Sequence, residues 1–206
     1  ILIISLFVFM AIWNDELRLA TAYLYMKPWF GFHSTRLFAM GDARGNNIYG
    51  DNNNETGYAP YCLFTDKPNT PGLADAWNSL YIVVTQADYI INDYAPQGRQ
   101  HFSEAQANAC EGEARFMRAA AYYYLASYWH DVPIMENPIA HTEAFNMAPT
   151  RFEDVIRYGI RDLEYAAEWL PLADADGRVT RYSALGLLAR YYVTLAAYAR
   201  GGHCTQ

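Results

Sequence analysis

Three runs in the second half of the chain place apolar residues three and four apart, and each run is closed by proline or glycine. That spacing selects helices, because a half-buried strand would alternate with a period of two. The cleanest run opens at Thr150-Arg151-Phe152-Glu153, a capping-box order. It carries Phe152, Val155, Ile156, Gly159, Leu163, Ala166, Ala167 and Leu170 and stops at Pro171. The run before it opens with Ser103 and Gln106, a second capping box. It continues to about Trp129, and Pro133 blocks extension. The run after it starts near Thr180, keeps Ala184, Leu187, Leu188, Tyr191, Leu195 and Tyr198 on one face, and closes at Gly201-Gly202. Residues 74–94 predict another helix, with Trp77, Leu80, Tyr81, Val84, Ala87, Ile91 and Tyr94 on one side. Residues 14–27 predict one more, with Asp15 and Glu16 in its first turn and Pro28 at its end. Nothing between the helices reads as a sheet, so the expected class is all-α.

The stretch from Glu113 to Met135 sets Tyr122, Tyr123, Tyr124, Tyr128 and Trp129 among alanines. Ala121-Tyr122-Tyr123-Tyr124 resembles Ala189-Arg190-Tyr191-Tyr192, and the two tyrosines Tyr123 and Tyr191 stand 68 residues apart, twice the 34-residue tetratricopeptide period. Small residues alternating with rings let antiparallel helices approach closely. The rings of this stretch therefore read as helix-packing residues of tetratricopeptide-like hairpins.

Residues 41–72 change character, with glycine, asparagine and proline dominating and a short strand expected near Tyr61–Thr65. A loop this long is usually functional or disordered, and its tyrosines argue against disorder. Asp42, Arg44, Asn46, Asn47, Tyr49, Asp51, Asn53, Tyr58 and Tyr61 supply flat aromatic faces beside amide and carboxylate groups, the mixture that sugar hydroxyls and C–H faces require. The plainer reading is a turn-rich loop in which Asn and Gly satisfy backbone needs. Asp51, Asn53 and Glu55 begin like a calcium loop, but Thr56 and Cys62 occupy the positions that need glycine and glutamate.

Other chemistry finds little support. None of His33, His101, His130, His141 and His203 forms a metal or catalytic pattern, and His130-Asp131 reads as a helix-end pair. Glu111 and Glu113 point to different faces of one helix. The cysteines Cys62, Cys110 and Cys204 have no zinc spacing, so no metal or cofactor is expected. A net charge of −7 without a basic stripe argues against nucleic acid. The apolar start, residues 1–13, lacks a basic n-region and a small-residue cleavage site, and a membrane span needs about 20 apolar residues. It is read as a buried helix, with a truncated signal sequence as the alternative.

A resemblance joins these pieces. Trp77-Asn78-Ser79-Leu80-Tyr81, the run Glu113 to Ala119, Tyr123-Tyr124 and Asp131-Val132-Pro133-Ile134 resemble successive blocks of the SusD/RagB family. Thr150-Arg151, the run Val155 to Pro171, Gly177 to Arg181 and Ala184 to Tyr192 continue the match, which covers about residues 74–199. The family usually has glycine where His130 stands, and its members are several hundred residues long, so the chain is read as a single helical domain over 1–206 from a longer protein. The resemblance implies a non-catalytic outer-membrane lipoprotein that captures oligosaccharides at the cell surface and closes over a SusC-like TonB-dependent transporter. Its lipid anchor would be the membrane contact, and no cysteine before Cys62 marks one here. The resemblance also implies a ligand face on the 41–72 loop, with Asp42, Arg44, Asn46, Asn47, Tyr49, Asp51 and Tyr58 as binding residues. A RagB-like peptide carrier is the alternative, as is a tetratricopeptide scaffold for protein partners.

Overall fold

The computed structural model describes residues 40–41, 45, 59–67, 70, 72–100, 102–137, 147–174 and 177–201. The expected helix at 14–27, the apolar start and most of the 41–72 loop lie outside the described residues. Among those described, the elements are α1 (Ala59–Cys62), α2 (Leu73–Tyr89), a π-helical stretch (Ile90–Tyr94), α3 (Ala95–Gly98), α4 (Glu104–Trp129), α5 (Phe152–Trp169) and α6 (Arg181–Arg200). The extended pairing present among them is one isolated antiparallel bridge between Val132 and Thr150.

Side-chain pairs fix the packing order. Trp77 meets Trp129 at one end of α2 and Asp88 meets Arg118 at the other, so α2 and α4 are antiparallel. Tyr122–Tyr158 and Arg118–Asp162 run the same way between α4 and α5, and Phe152–Tyr198 does so between α5 and α6. The result is a row of antiparallel helices, as the tetratricopeptide-like spacing predicts. The two tyrosine-bearing runs also meet, with the Tyr123 and Tyr191 rings 5.2 Å apart. One apolar core spans all four long helices, built from Leu80, Val83 and Val84, from Met117, Tyr122 and Leu125, from Val155, Ile156 and Leu163, and from Tyr191. Full burial of each such aliphatic side chain contributes about 1.5–3 kcal/mol. The opposite face of α6 stays open, with Tyr182, Leu185, Tyr192 and Val193 exposed.

The helix boundaries depart from sequence in three places. The expected strand near Tyr61–Thr65 is a helical turn, in which Leu63 N–H donates to Ala59 O at 3.0 Å and Thr65 N–H to Pro60 O at 2.9 Å. The helix expected over 74–94 continues through the π-helical stretch to Gly98, because Pro96 sits in the first turn of α3, where its missing N–H costs little. The capping box at Ser103–Gln106 forms as predicted. The one at Thr150–Glu153 does not: Arg151 is the N-cap, and the Phe152 N–H donates instead to Asp131 Oδ1 at 2.8 Å. Thr150 is held away by its two backbone hydrogen bonds with Val132.

That cap explains the Asp-Val-Pro segment. Asp131 closes the start of α5, Val132 is buried, the Tyr81 hydroxyl donates to Pro133 O at 2.8 Å, and Met135 N–H donates to the Tyr122 hydroxyl at 2.8 Å. The chain enters this clamp through His130, at φ +66°. Glycine adopts that conformation without strain, which accounts for the residue usual in the resembling family. His130 adds instead a stack on Phe152, ring centroids 4.8 Å apart.

Gly159 lets α6 approach α5. A Cβ there would overlap the Tyr191 ring and hydroxyl, and that hydroxyl donates to Ala119 O at 2.6 Å. We expect Gly159→Ala to destabilise the fold by about 1–3 kcal/mol through overpacking, although alanine is the better helix former. Tyr191→Phe should cost about 1 kcal/mol. Urea denaturation followed by circular dichroism checks both, and a Gly159→Ala variant as stable as the parent would refute the close approach.

Candidate functional site

The seven residues expected to hold ligand, Asp42, Arg44, Asn46, Asn47, Tyr49, Asp51 and Tyr58, all lie outside the described residues. What the structure describes is the footing of their loop. Gly45 N–H donates to Gly41 O at 2.8 Å. Met40, just before the segment, and Tyr61, within it, are buried together against Leu73, Tyr128 and Trp129. These two residues sit on the C-terminal end of α4, beside a run of rings: Tyr128 stacks with Tyr124, and Trp129 meets Trp77 edge-on. Just past α1, Leu63 and Phe64 are exposed, with Phe64 at φ +53°. A bulky residue in that conformation is strained.

The densest chemistry lies elsewhere, in a buried charge network between the helices. Arg118 of α4 reaches Asp162 of α5 through two hydrogen bonds of 2.8 and 2.7 Å and Asp88 of α2 through one of 2.6 Å. Arg115, one turn earlier, joins Asp162 at 3.0 Å to Glu111 at 2.7 Å, and Glu111 also pairs with Arg99. Asn108 accepts from Arg99 at 3.0 Å and from the Tyr165 hydroxyl at 3.3 Å. Glu113, on another face of α4 as expected, pairs with Arg178 at 2.8 Å. Arg181 donates to Leu170 O and Glu168 O and so satisfies carbonyls at the end of α5.

Burial sets the charge states. It pushes the Asp88 carboxyl up to about 7, against the pull of Arg118. Asp88 Oδ2 has no hydrogen-bond partner among the described residues, so nothing there offsets the loss of water around it. For Glu111 burial also acts upward, but hydrogen bonds from Arg115 and Arg99 outweigh it and hold the carboxyl below its usual range. The Phe152 N–H, then His130, hold Asp131 low.

These groups couple the helices to one another. Every buried carboxylate in the network is engaged by arginine, and no cluster of metal-ligating side chains occurs among the described residues. The Arg115, Arg118 and Asp131 roles fall on residues the sequence singled out as family-like. Asp162 falls in the family-like run Val155 to Pro171, whereas Asp88 lies outside every such block, and neither was assigned a role because the partner of each stands on another helix. Arg118→Met should cost about 3–5 kcal/mol, since it strands two buried acids. Asp88→Asn carries a pH signature. A carboxyl raised from 3.8 to about 7 contributes stability at low pH that is lost as pH rises through that window. Asp88→Asn should therefore gain on the parent between about pH 4 and 7 in denaturant midpoints, and a pH-independent difference would contradict the buried acid.

With this geometry in place, likeness to known proteins is informative. The SusD-like family described as "Starch-binding associating with outer membrane" matches residues 28–193. A SusD-like protein of Bacteroides ovatus is 32% identical over 189 residues, covering 92% of this chain and 34% of the relative. A crystal structure with xylogluco-oligosaccharide superposes at TM-score 0.71 with 33% identity, over 84% of this chain and 33% of that one. A SusD superfamily protein of Bacteroides vulgatus, 19% identical, shares the fold at TM-score 0.74 over 90% of this chain and 40% of its own. The chain spans about a third of the length of the curated relative from Bacteroides ovatus. With matching helices, and with the residues that carry the resemblance found coupling them, the chain belongs to the SusD-like family.

Proposed function

We propose that the protein is a non-catalytic glycan-binding protein of the outer-membrane surface, which captures oligosaccharides and hands them to a SusC-like TonB-dependent transporter. The observation that carries this reading is the family match together with a 33%-identical solved structure that holds a xylogluco-oligosaccharide. The 41–72 loop is the proposed ligand face, with Asp42, Arg44, Asn46, Asn47, Tyr49, Asp51 and Tyr58 holding sugar hydroxyls and ring faces. Its footing on the ring-rich end of α4 supports that assignment, because an anchored loop orders fewer residues when ligand binds. Binding of this kind needs no covalent step; rings cover apolar C–H faces while amides and carboxylates pair with hydroxyls.

No helix of the described residues is long and apolar enough to cross a membrane, and attachment through a lipid anchor is part of the proposal. Peptide cargo is the competing outcome, and the net charge of −7 would favour basic peptides over others.

The test is calorimetric titration of the full-length protein with plant, host and microbial oligosaccharides, with mixed oligopeptides alongside. We expect saturable glycan binding without hydrolysis. Asn46→Ala and Tyr49→Ala should each weaken it by about 1–3 kcal/mol with unchanged melting temperature. Peptide binding with no glycan signal would transfer the protein to the RagB-like reading.

A further inference from the structure

A cleft of about 340 Å³ opens where the π-helical stretch, α4, α5 and the segment after Pro133 come together. Its size falls in the range of small-molecule sites. Arg115 and Arg118 contribute to its wall, but their charges are committed to Glu111, Asp162 and Asp88. Two other charges line the same space and are not committed. Arg161 makes no ion pair among the described residues; its guanidinium lies 5.5 Å from the centre of the Tyr158 ring. Glu136 likewise makes no ion pair among the described residues. Its backbone is held in place, because the Asn92 side chain donates to Glu136 O at 2.7 Å.

Tyr158 adds a third free group. Its ring is gripped from two sides, edge-on by Tyr122 at 5.6 Å and by the Arg118 guanidinium at 4.9 Å. The residue is only 7% exposed, it forms part of the cleft wall, and its hydroxyl makes no hydrogen bond among the described residues. A cation and an anion thus face one cleft without reaching each other, and Tyr158, its ring held from two sides, belongs to the same wall.

The chemistry of a matching occupant follows from charge balance. A neutral ligand that displaced water would leave both charges partly desolvated and unpaired. A simple anion would satisfy Arg161 and leave Glu136 opposed to it; a simple cation would do the reverse. A molecule with both signs a few atoms apart satisfies both groups at once. We propose that this cleft binds a small zwitterion of the α-amino-acid type, its carboxylate on Arg161 and the Tyr158 hydroxyl, its ammonium on Glu136. The site lies on the helical frame, so it stands or falls independently of the glycan face proposed for the 41–72 loop.

The test is calorimetry on the full-length protein with free glycine and L-alanine, their N-acetyl and amide forms, γ-aminobutyrate, and acetate. Saturable binding of the free amino acids is expected at up to millimolar concentrations. Blocking either end, or separating the charges as in γ-aminobutyrate, should weaken it about tenfold or more. Arg161→Gln and Glu136→Gln, both at exposed positions, should each do the same without moving the melting temperature of the ligand-free protein. Tyr158→Phe should weaken binding less than either. The proposal is overturned if no free amino acid saturates the protein. It is also overturned if acetate binds as well as glycine and depends on Arg161 alone, which would make the cleft a plain anion site.

Discussion

Arg118 holds the described helices in register. A guanidinium is planar and offers donors along two edges, so one side chain on α4 can bind Asp162 of α5 bidentately and still reach Asp88 of α2. Burial raises the cost of every unmet charge there, and this makes the arrangement specific: sliding α2 or α5 by a turn would leave a charge without its partner. Burial works against the charge of Arg118 itself, and Asp162 and Asp88 outweigh it. Asp88 is the weak point, since one of its oxygens has no hydrogen-bond partner among the described residues and burial pushes its carboxyl up to about 7.

Around that centre the helices are brought together by size rather than charge. Alanines line much of the buried face of α4, and Gly112 lies against Ala166 and Leu170 of α5. Gly159 does the same for α6 by making room for Tyr191, whose hydroxyl then reaches a carbonyl of α4 across α5. The tyrosines act mainly as spacers with a polar tip: Tyr81, Tyr122 and Tyr191 each bury a ring and spend the hydroxyl on a backbone group. The same row seats Met40 and Tyr61 at one end and supplies the Arg161 wall of the Arg161–Glu136 cleft.

The residues that reveal the family are therefore not those proposed to hold its ligand. Arg115 and Arg118 couple three helices, Asp131 caps one, Arg178 neutralises Glu113 and Arg181 closes the end of α5. Such positions tolerate little change because each answers a buried partner. The loop residues proposed to hold ligand, such as Asn46 and Tyr49, would answer to cargo instead, and cargo differs between proteins of one fold.

The helices were legible in the sequence because their cause is local. The three-and-four spacing of Phe152 to Leu170, the Ser103–Gln106 cap and the proline stops each act within a few residues, and the observed helices follow them closely. The apolar faces were legible for the same reason. Whether Thr150 or Asp131 caps α5 was not, since the answer depends on a bridge to Val132 across the intervening segment. Nor was the fate of the acids. Asp88 and Asp162 look like any helical carboxylates until packing sets both against Arg118, and Glu136 and Arg161 look solvated until folding sets them around one cleft. Periodicity determines which face of a helix leaves water; which charges meet there is decided only when helices far apart in sequence come into contact.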